Sequence, residues 1–433
     1  MEEIDKTFNE AVADGRIHGA VLLAKDLTGG NIRPLTHSFY KKLQLTHHIA
    51  TGKVNISRSY GVRSLREEDP EKRPPMLTDT PMRFASCSKF LTSIMVLQCV
   101  EKGLANLDDS LEKLLPEVAG LKVLTGFDEA GNPIEREPKS PVLIKHLLSH
   151  SSGLCYTLTY PLLHQYRKWQ GLALEQDYDN LDQNFKYPLL FDPGTSWAYG
   201  PSLDWCSRLI ERASGLSAEE FLQKHIVEPL GIGSDNMTFE LQKHPNMQAR
   251  RSDMTFRGDV TFTAESATPS TGKLQYRDES YWHQDIQPHG GQGIYTTPES
   301  YMKVLWSILS NDGKLLKPET REFLFKRVLT PEAEKNFDAY CEQFKAFVPG
   351  VPVPVEIKHS HSAGGMLTLE DCDGDRWRRE GNLSWSGLPN IIWQIDQKAG
   401  ICSLWAFHMK PWGDPICVEL GTKFEKAAFL MLK

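Results

Sequence analysis

Apolar residues fall along the chain in three patterns, and each predicts a different kind of element. Ile4, Phe8, Ala11 and Val12 recur at helical spacing among acidic residues over 2–14, which predicts an amphipathic surface helix ended by Gly15. Gly19–Lys25 reads Gly-Ala-Val-Leu-Leu-Ala-Lys, a short apolar run that predicts a buried strand. Val54–Gly61 predicts a second strand. The third pattern starts at Phe90. Phe90, Leu91, Ile94, Met95, Val96, Leu97 and Val100 leave almost no polar face before Glu101-Lys102-Gly103. A helix that is apolar on most sides is buried, and a basic last turn followed by glycine marks its C-terminus.

The pattern carries on around that helix. Residues 64–82 are rich in charge and proline and predict the loop leading into it. Leu111–Leu115 predicts a short helix before Pro116, and 126–133 a turn or small hairpin. Val142–Leu148 predicts a helix stopped by Ser149-His150-Ser151-Ser152-Gly153-Leu154. From 160 to 230 the pattern is helical and aromatic-rich, broken by a tight turn over Asp192–Pro201. Ser202–Ala213 predicts a helix, and Ser217-Ala218-Glu219-Glu220 is the capping-box signature of the next one. Residues 250–285 alternate like strands, and a helix starting near Thr297 runs through Leu309. The last third predicts four strands, over 364–369, 382–387, 390–395 and 400–408, and a closing amphipathic helix over 413–432.

Strands therefore sit at both ends of the chain, with a mainly helical middle. The fold class expected is α/β (α+β): residues 1–105 and 286–433 form a sheet lobe, and 106–285 a mainly helical lobe. Between the first two strands lies a long segment, 31–53, with His37, His47 and His48 and weak periodicity. No cysteine or carboxylate accompanies these histidines at ligand spacing. The segment reads as an insertion loop, either a genuine surface loop or a retained intron.

Composition narrows the partners. The 433 residues carry a net charge of −7, with 40% hydrophobic and 24% charged positions. Nothing basic is clustered except Arg376-Trp377-Arg378-Arg379, which Asp373, Asp375 and Glu380 flank. No nucleic-acid partner is expected. No apolar run reaches the roughly 18 residues of a membrane span. The first residues show no basic or apolar signal-peptide region. The eight cysteines form no C-x-x-C pair and read as reduced core residues of a cytoplasmic protein.

Candidate chemistry sits at the start of the apolar helix. Arg83-Phe84-Ala85-Ser86-Cys87-Ser88-Lys89 contains Ser-x-x-Lys, whose two side chains share one helical face in the first turn. A serine becomes a nucleophile when a base removes its proton. Lys89 can do so as a neutral amine, which burial favours, and the helix N-terminus adds positive potential at Ser86. The bland alternative is a lysine snorkelling to the surface. Tyr199, in a turn, is a second proton-handling candidate; otherwise it is a core tyrosine. Backbone N–H groups at Ser86 and on a small-residue strand edge, Trp385-Ser386-Gly387-Leu388, are candidates for an oxyanion site. His150 could be a base, but its Ser and Gly neighbours suit a hydrogen-bonded corner residue, which is the favoured reading.

Ser86-x-x-Lys89, Tyr199 and Trp385-Ser386-Gly387 come in the order of the serine β-lactamase and penicillin-binding-protein superfamily, which the chain resembles. Leu147–Leu154, Asp192-Pro193-Gly194 and Gly290-Gly291-Gln292-Gly293 resemble its class C and esterase branch. Met95–Cys99, Tyr199–Trp205, Pro389–Asp396 and Lys410–Pro415 are similar to the fungal lovastatin acyltransferase (simvastatin-synthase) type. The resemblance implies a β-lactamase-like fold with an antiparallel sheet flanked by helices. It implies that Ser86 is acylated, that Lys89 and Tyr199 share proton transfer, and that the Ser86 and Leu388 N–H groups form the oxyanion hole. Arg83, Trp385, Ser386, Gly387 and Trp412 are the substrate-binding residues it suggests, with Trp412 lining the acceptor pocket.

The implied activity is acyl transfer in secondary metabolism. The donor is a thioester on a polyketide synthase carrier domain or a small thiol, and the acceptor a hydrophobic polyketide-like alcohol. No metal or organic cofactor is called for. The same groups would serve an esterase using water, and a non-enzymatic binding protein on this fold is a further rival. Two departures matter. Ser202 stands where the acyltransferase type has asparagine. Trp385 replaces the lysine of the lactamase Lys-Thr-Gly triplet, removing the cation that would grip a β-lactam carboxylate. The 31–53 insertion has no counterpart in that family.

Overall fold

A computed structural model describes residues 1–27, 54–157, 160–172, 181–258, 272–277, 288–343, 357–372 and 377–432. The expected 31–53 insertion with its histidines, and most of the 250–285 stretch, lie outside the described residues. Seven strands form the main sheet: β1 (Gly19–Asp26), β2 (Asn55–Gly61), β3 (His359–His361), β4 (Met366–Thr368), β5 (Leu383–Gly387), β6 (Ile391–Asp396) and β7 (Ile401–Ala406). Their spatial order is β3-β4-β5-β6-β7-β1-β2, and every neighbouring pair is antiparallel. The N-terminal pair thus joins the C-terminal strands across β7, where Val21 faces Ala406 and Asp26 faces Ile401.

Both faces of this sheet are covered, which explains why β1 reads as a run rather than an alternation. On one face Val21, Leu23, Ile391, Trp393 and Leu404 pack with α2 (Ser88–Glu101) and α4 (Pro298–Ser310). On the other, Ala20, Leu22, Ile392 and Trp405 pack with α1 (Glu2–Ala13) and α6 (Pro415–Leu430) through Phe8, Leu420 and Phe424. Successive strand residues point to opposite faces, so one apolar run feeds both layers. The sheet is therefore the middle layer of three.

The buried helix is where the apolar pattern puts it. Every residue of α2 from Ser88 to Cys99 is buried, and Gly103 beyond its end has φ +68°. It lies against α3 (Ser202–Ser214), which ends at Gly215 in the left-handed conformation. The capping box at Ser217 and Glu220 is formed, with the Ser217 side chain accepting from the Glu220 N–H. Three expectations need correction. Ser86 sits in a 3₁₀ turn, Ala85–Cys87, just ahead of α2. Leu111–Leu114 form turns, and the helix beyond them starts at Pro116, because proline fits a first helical position, where its missing N–H costs nothing. The helix expected over 142–148 spans only Ile144–Leu148. The helix α5 (Pro331–Gln343) and strand β3 were not foreseen.

Two other sequence features resolve structurally. Arg378, from the one basic cluster, is buried in a bidentate pair with Glu425, 2.7 and 2.9 Å long. None of the eight cysteines is paired in a disulfide; seven are buried and Cys341 is partly so. Among the described residues no helix is long and apolar enough to cross a membrane.

Candidate active site

The turn that carries Ser86 is strained and held from three sides. Ala85 has φ +45°, a conformation that costs a non-glycine residue on the order of 1–3 kcal/mol and persists where its surroundings impose it. Ser88 Oγ donates to the Ala85 carbonyl at 2.6 Å and accepts from the Ile294 N–H at 3.0 Å. The Tyr301 hydroxyl donates to the Cys87 carbonyl at 2.9 Å. These bonds fix Ser86 at the N-terminal mouth of α2, partly exposed among buried neighbours.

Lys89 is one turn on. It is buried, and its Nζ meets three oxygens: the Gly291 carbonyl at 2.8 Å, the Tyr156 hydroxyl at 3.1 Å and Ser86 Oγ at 3.5 Å. It does not snorkel to the surface. Tyr156 in turn donates to Asp204 Oδ2 at 2.8 Å. Burial first, then the Asp204 charge, pushes the Tyr156 hydroxyl well above its ordinary range, so it stays protonated and keeps this donor role.

Tyr199 joins the group by its ring. The Lys89 Nζ lies 4.7 Å from its centroid, within range of a cation–π contact. Trp385 Nε1 is 3.4 Å from the Tyr199 hydroxyl, and Tyr156 N–H donates to the Tyr199 carbonyl at 3.1 Å. His150 stands behind this turn, its ring 4.9 Å from that of Tyr199 and its Nδ1 accepting from Gly200 N–H at 3.4 Å. Burial, then the nearby His361 and Lys89, hold His150 well below the usual imidazole range. It is thus a neutral corner residue, with left-handed φ of +55°.

The third wall is β5. Its whole length pairs with β6, but β4 pairs only with Leu383 and Ser384. The end at Trp385–Gly387 is thereby left facing the Ser86 turn, so the expected strand edge is a half-edge on an interior strand. Leu388, just beyond, packs on Met254 and Phe256. Trp412 sits in a loop tied to the β5–β6 turn by Asn390, whose side chain donates to the Met409 and Pro411 carbonyls and accepts from Gly413 N–H.

Ser86, Lys89, Tyr199 and Trp385 are therefore brought together, and Gly387 abuts their turn. Arg83 is not at an open surface. It is 1% exposed, and its Nε donates to the Gln292 carbonyl at 3.3 Å, so it lies buried against the 290–293 turn. Ser202 is also fully buried, sharing a 2.8 Å hydrogen bond with Ser152. Sequence reasoning missed Tyr156 and Asp204. Tyr156 lies in an irregular turn with no periodicity, and an acid in a first helical turn ordinarily reads as a dipole-favouring residue. Among the described residues, no group of three or more His, Cys, Asp or Glu is placed to hold a metal.

A serine–lysine pair at a buried helix mouth, faced by a tyrosine turn and a strand end, has a family counterpart. A family model described as Beta-lactamase matches residues 4–367. The chain belongs to the beta-lactamase family. It is 39% identical over 427 residues to monacolin J acid methylbutanoyltransferase of Aspergillus terreus, covering 98% of this chain and 95% of that protein. It is 34% identical over 405 residues to lovastatin esterase of Penicillium rubens, covering 94% and 92%. The unliganded structure of simvastatin synthase from Aspergillus terreus shares this beta-lactamase architecture at TM-score 0.83 and 39% identity, covering 99% of this chain and 97% of that one.

Proposed function

We propose that the protein is a serine acyltransferase of polyketide secondary metabolism working through a Ser86 acyl-enzyme. The observation that carries this reading is the buried Lys89 amine, 3.5 Å from Ser86 Oγ at the mouth of α2. In the first half-reaction Ser86 Oγ attacks a thioester carbonyl. The Oγ–carbon bond forms, the serine proton passes to Lys89, and the carbonyl π electrons move onto oxygen, where the Ser86 and Leu388 N–H groups stabilise them. Collapse breaks the carbon–sulfur bond, and the thiolate takes a proton from the Lys89–Tyr199 pair. In the second half the acceptor alcohol attacks the acyl-enzyme and gives its proton to the same pair; the carbon–Oγ bond breaks, and Ser86 Oγ takes that proton back as it leaves.

The donor in this proposal is a thioester on a polyketide synthase acyl-carrier domain or on a small thiol, and the acceptor a hydrophobic polyketide-like alcohol that Trp412 helps to seat. The enzyme acts in the cytoplasm. Residues 1–105 and 286–433 form one lobe and 106–285 the other, with Ser86 and Trp385 facing Tyr156 and Tyr199 across the site. Sequence identity to a methylbutanoyltransferase supports transfer, and the lovastatin esterase relative makes hydrolysis the second reading. Purified protein mixed with a short-chain acyl thioester, with and without an alcohol acceptor, separates them. Ester product only with the alcohol is the expected result, together with an acyl adduct on the wild type and none on Ser86→Ala. Free acid as the sole product, whatever the acceptor, assigns the protein to the esterases.

A further inference from the structure

Asp204 touches both groups that hold the Lys89 amine. Its Oδ2 accepts from the Tyr156 hydroxyl at 2.8 Å, and its Oδ1 accepts from the Gly291 N–H at 3.1 Å. Tyr156 and Gly291 are the acceptors, other than Ser86, that Lys89 Nζ meets. The carboxylate is fully buried in the first turn of α3. Gly291 is pressed against it so closely that a Cβ there would lie 2.3 Å from Oδ2. The neighbouring Gly290 is pinned as well, its N–H donating to Ser207 at 2.6 Å and its carbonyl accepting from Thr92 at 2.7 Å. The strap that presents the Gly291 carbonyl to Lys89 is thus anchored on two helices.

The direction of each hydrogen bond follows. A carbonyl can only accept, so Lys89 donates to Gly291. A carboxylate can only accept, so the Tyr156 O–H is committed to Asp204 and the Tyr156 oxygen accepts from Lys89. A neutral amine has two N–H bonds and one lone pair. When Lys89 acts as the base of the proposed acyl transfer, both of its N–H bonds are spent on Gly291 and Tyr156 and its lone pair is left for the Ser86 O–H.

We infer that Asp204 is a positioning residue that aims the Lys89 lone pair at Ser86, by fixing Tyr156 as an acceptor and Gly291 in place. This rests on the serine acyl-transfer reading above. It has an unusual consequence for an isosteric change. In Asp204→Asn the amide oxygen takes the Gly291 N–H and the amide NH₂ turns to Tyr156. The Tyr156 O–H then points to Lys89 and occupies the lone pair. The damage passes through a hydroxyl, so removing that hydroxyl relieves it.

The test is single-turnover acylation of the full chain by a short-chain acyl thioester of a small thiol, read as maximal rate and half-saturation for wild type, Asp204→Asn, Tyr156→Phe and the double variant. Asp204→Asn is expected to lower the maximal rate about a hundredfold at unchanged half-saturation, the scale of a lost general base. Tyr156→Phe, which loses one orienting hydrogen bond, is expected to lower it only about tenfold. The double variant should return to the Tyr156→Phe rate. A double variant slower than both single variants, or an Asp204→Asn no slower than Tyr156→Phe, overturns the inference. No acyl adduct on the wild type overturns the acyl-transfer reading, and the inference with it. If circular dichroism shows Asp204→Asn unfolded, Tyr156→Phe alone decides, an unchanged maximal rate being the overturning result.

Discussion

Gly387 sits so close to Phe84 that a methyl group on its Cα would come within 2.3 Å of the Phe84 carbonyl oxygen, and 3.2 Å from Cys87 Sγ. The strand end and the Ser86 turn therefore meet backbone to backbone, and the oxyanion pair proposed for the Ser86 and Leu388 N–H groups rests on this contact. Gly387→Ala must push the two apart. The expected outcome is a loss of acylation rate of about 10²–10³, the scale of one oxyanion donor, in a protein that still folds. Stopped-flow release of thiol from a thioester measures it, and a variant within twofold of wild type would remove the strand from the oxyanion site.

Gly421 is a case where two effects oppose each other. In a helix interior, Gly→Ala ordinarily stabilises by about 1 kcal/mol. Here a Cβ would lie 2.4 Å from the buried Trp405 ring, which cannot yield because it packs between α6 and the sheet. Overpacking costs typically about 1–3 kcal/mol and outweighs the propensity gain. Gly421→Ala should lower the urea midpoint; a raised midpoint would show that helix α6 can shift off the sheet.

The Arg378–Glu425 pair is 1–2% exposed at its side chains, and Trp377 Nε1 also donates to Glu425 at 2.8 Å. Glu425→Gln takes the paired carboxylate from a buried guanidinium, at a cost of about 3–5 kcal/mol. Glu425→Gln is expected to destabilise on this scale while leaving the kinetics of the remaining folded fraction unchanged. Denaturant titration alongside active-site titration checks both halves.

Buried histidines set the acid limit. Burial, with His408 and Arg257 nearby, lowers His18 from 6.5 to about 3, and burial lowers His361 from 6.5 to about 3. Their folded-state values lie below the unfolded one, so between these limits the unfolded chain binds more protons. Stability is then present above about pH 6.5 and drains away as the pH falls toward 3. From pH 6.5 to 5 each such histidine removes about 2 kcal/mol. His18→Asn should flatten this slope in denaturation curves taken across the range, and an unchanged slope would show that His18 does not contribute.

Much of this was legible in the chain itself. The apolar run of α2, the Ser86–Lys89 spacing, the left-handed glycine stops and the strands of the last third all depend on local rules: helical or strand periodicity, capping and turn chemistry. Where propensity competed with packing it was less reliable. The short strand β3 contains two histidines and a serine, and nothing local distinguishes it from a loop. It is a strand because β4 is there to pair with it. Helix α5 carries its apolar face toward Trp197 through Ala333 and Phe337, a contact no local signal announces.

The sequence alone determined the Ser86–Lys89 pairing and the buried helix beside it, because residues three apart in a helical turn share a face whatever surrounds them. Only the tertiary structure decided what the lysine touches. Tyr156 and Gly291 lie 67 and 202 positions away from Lys89 in the chain, and Asp204, which holds both, lies 115 away. Hydrogen bonds between such distant groups are made by the folding of α2 against α3 and the 290–293 turn, not by any spacing in the sequence. The same holds for Arg83. Beside Ser86 in the chain it resembles a substrate contact, and the fold turns it inward to the Gln292 carbonyl.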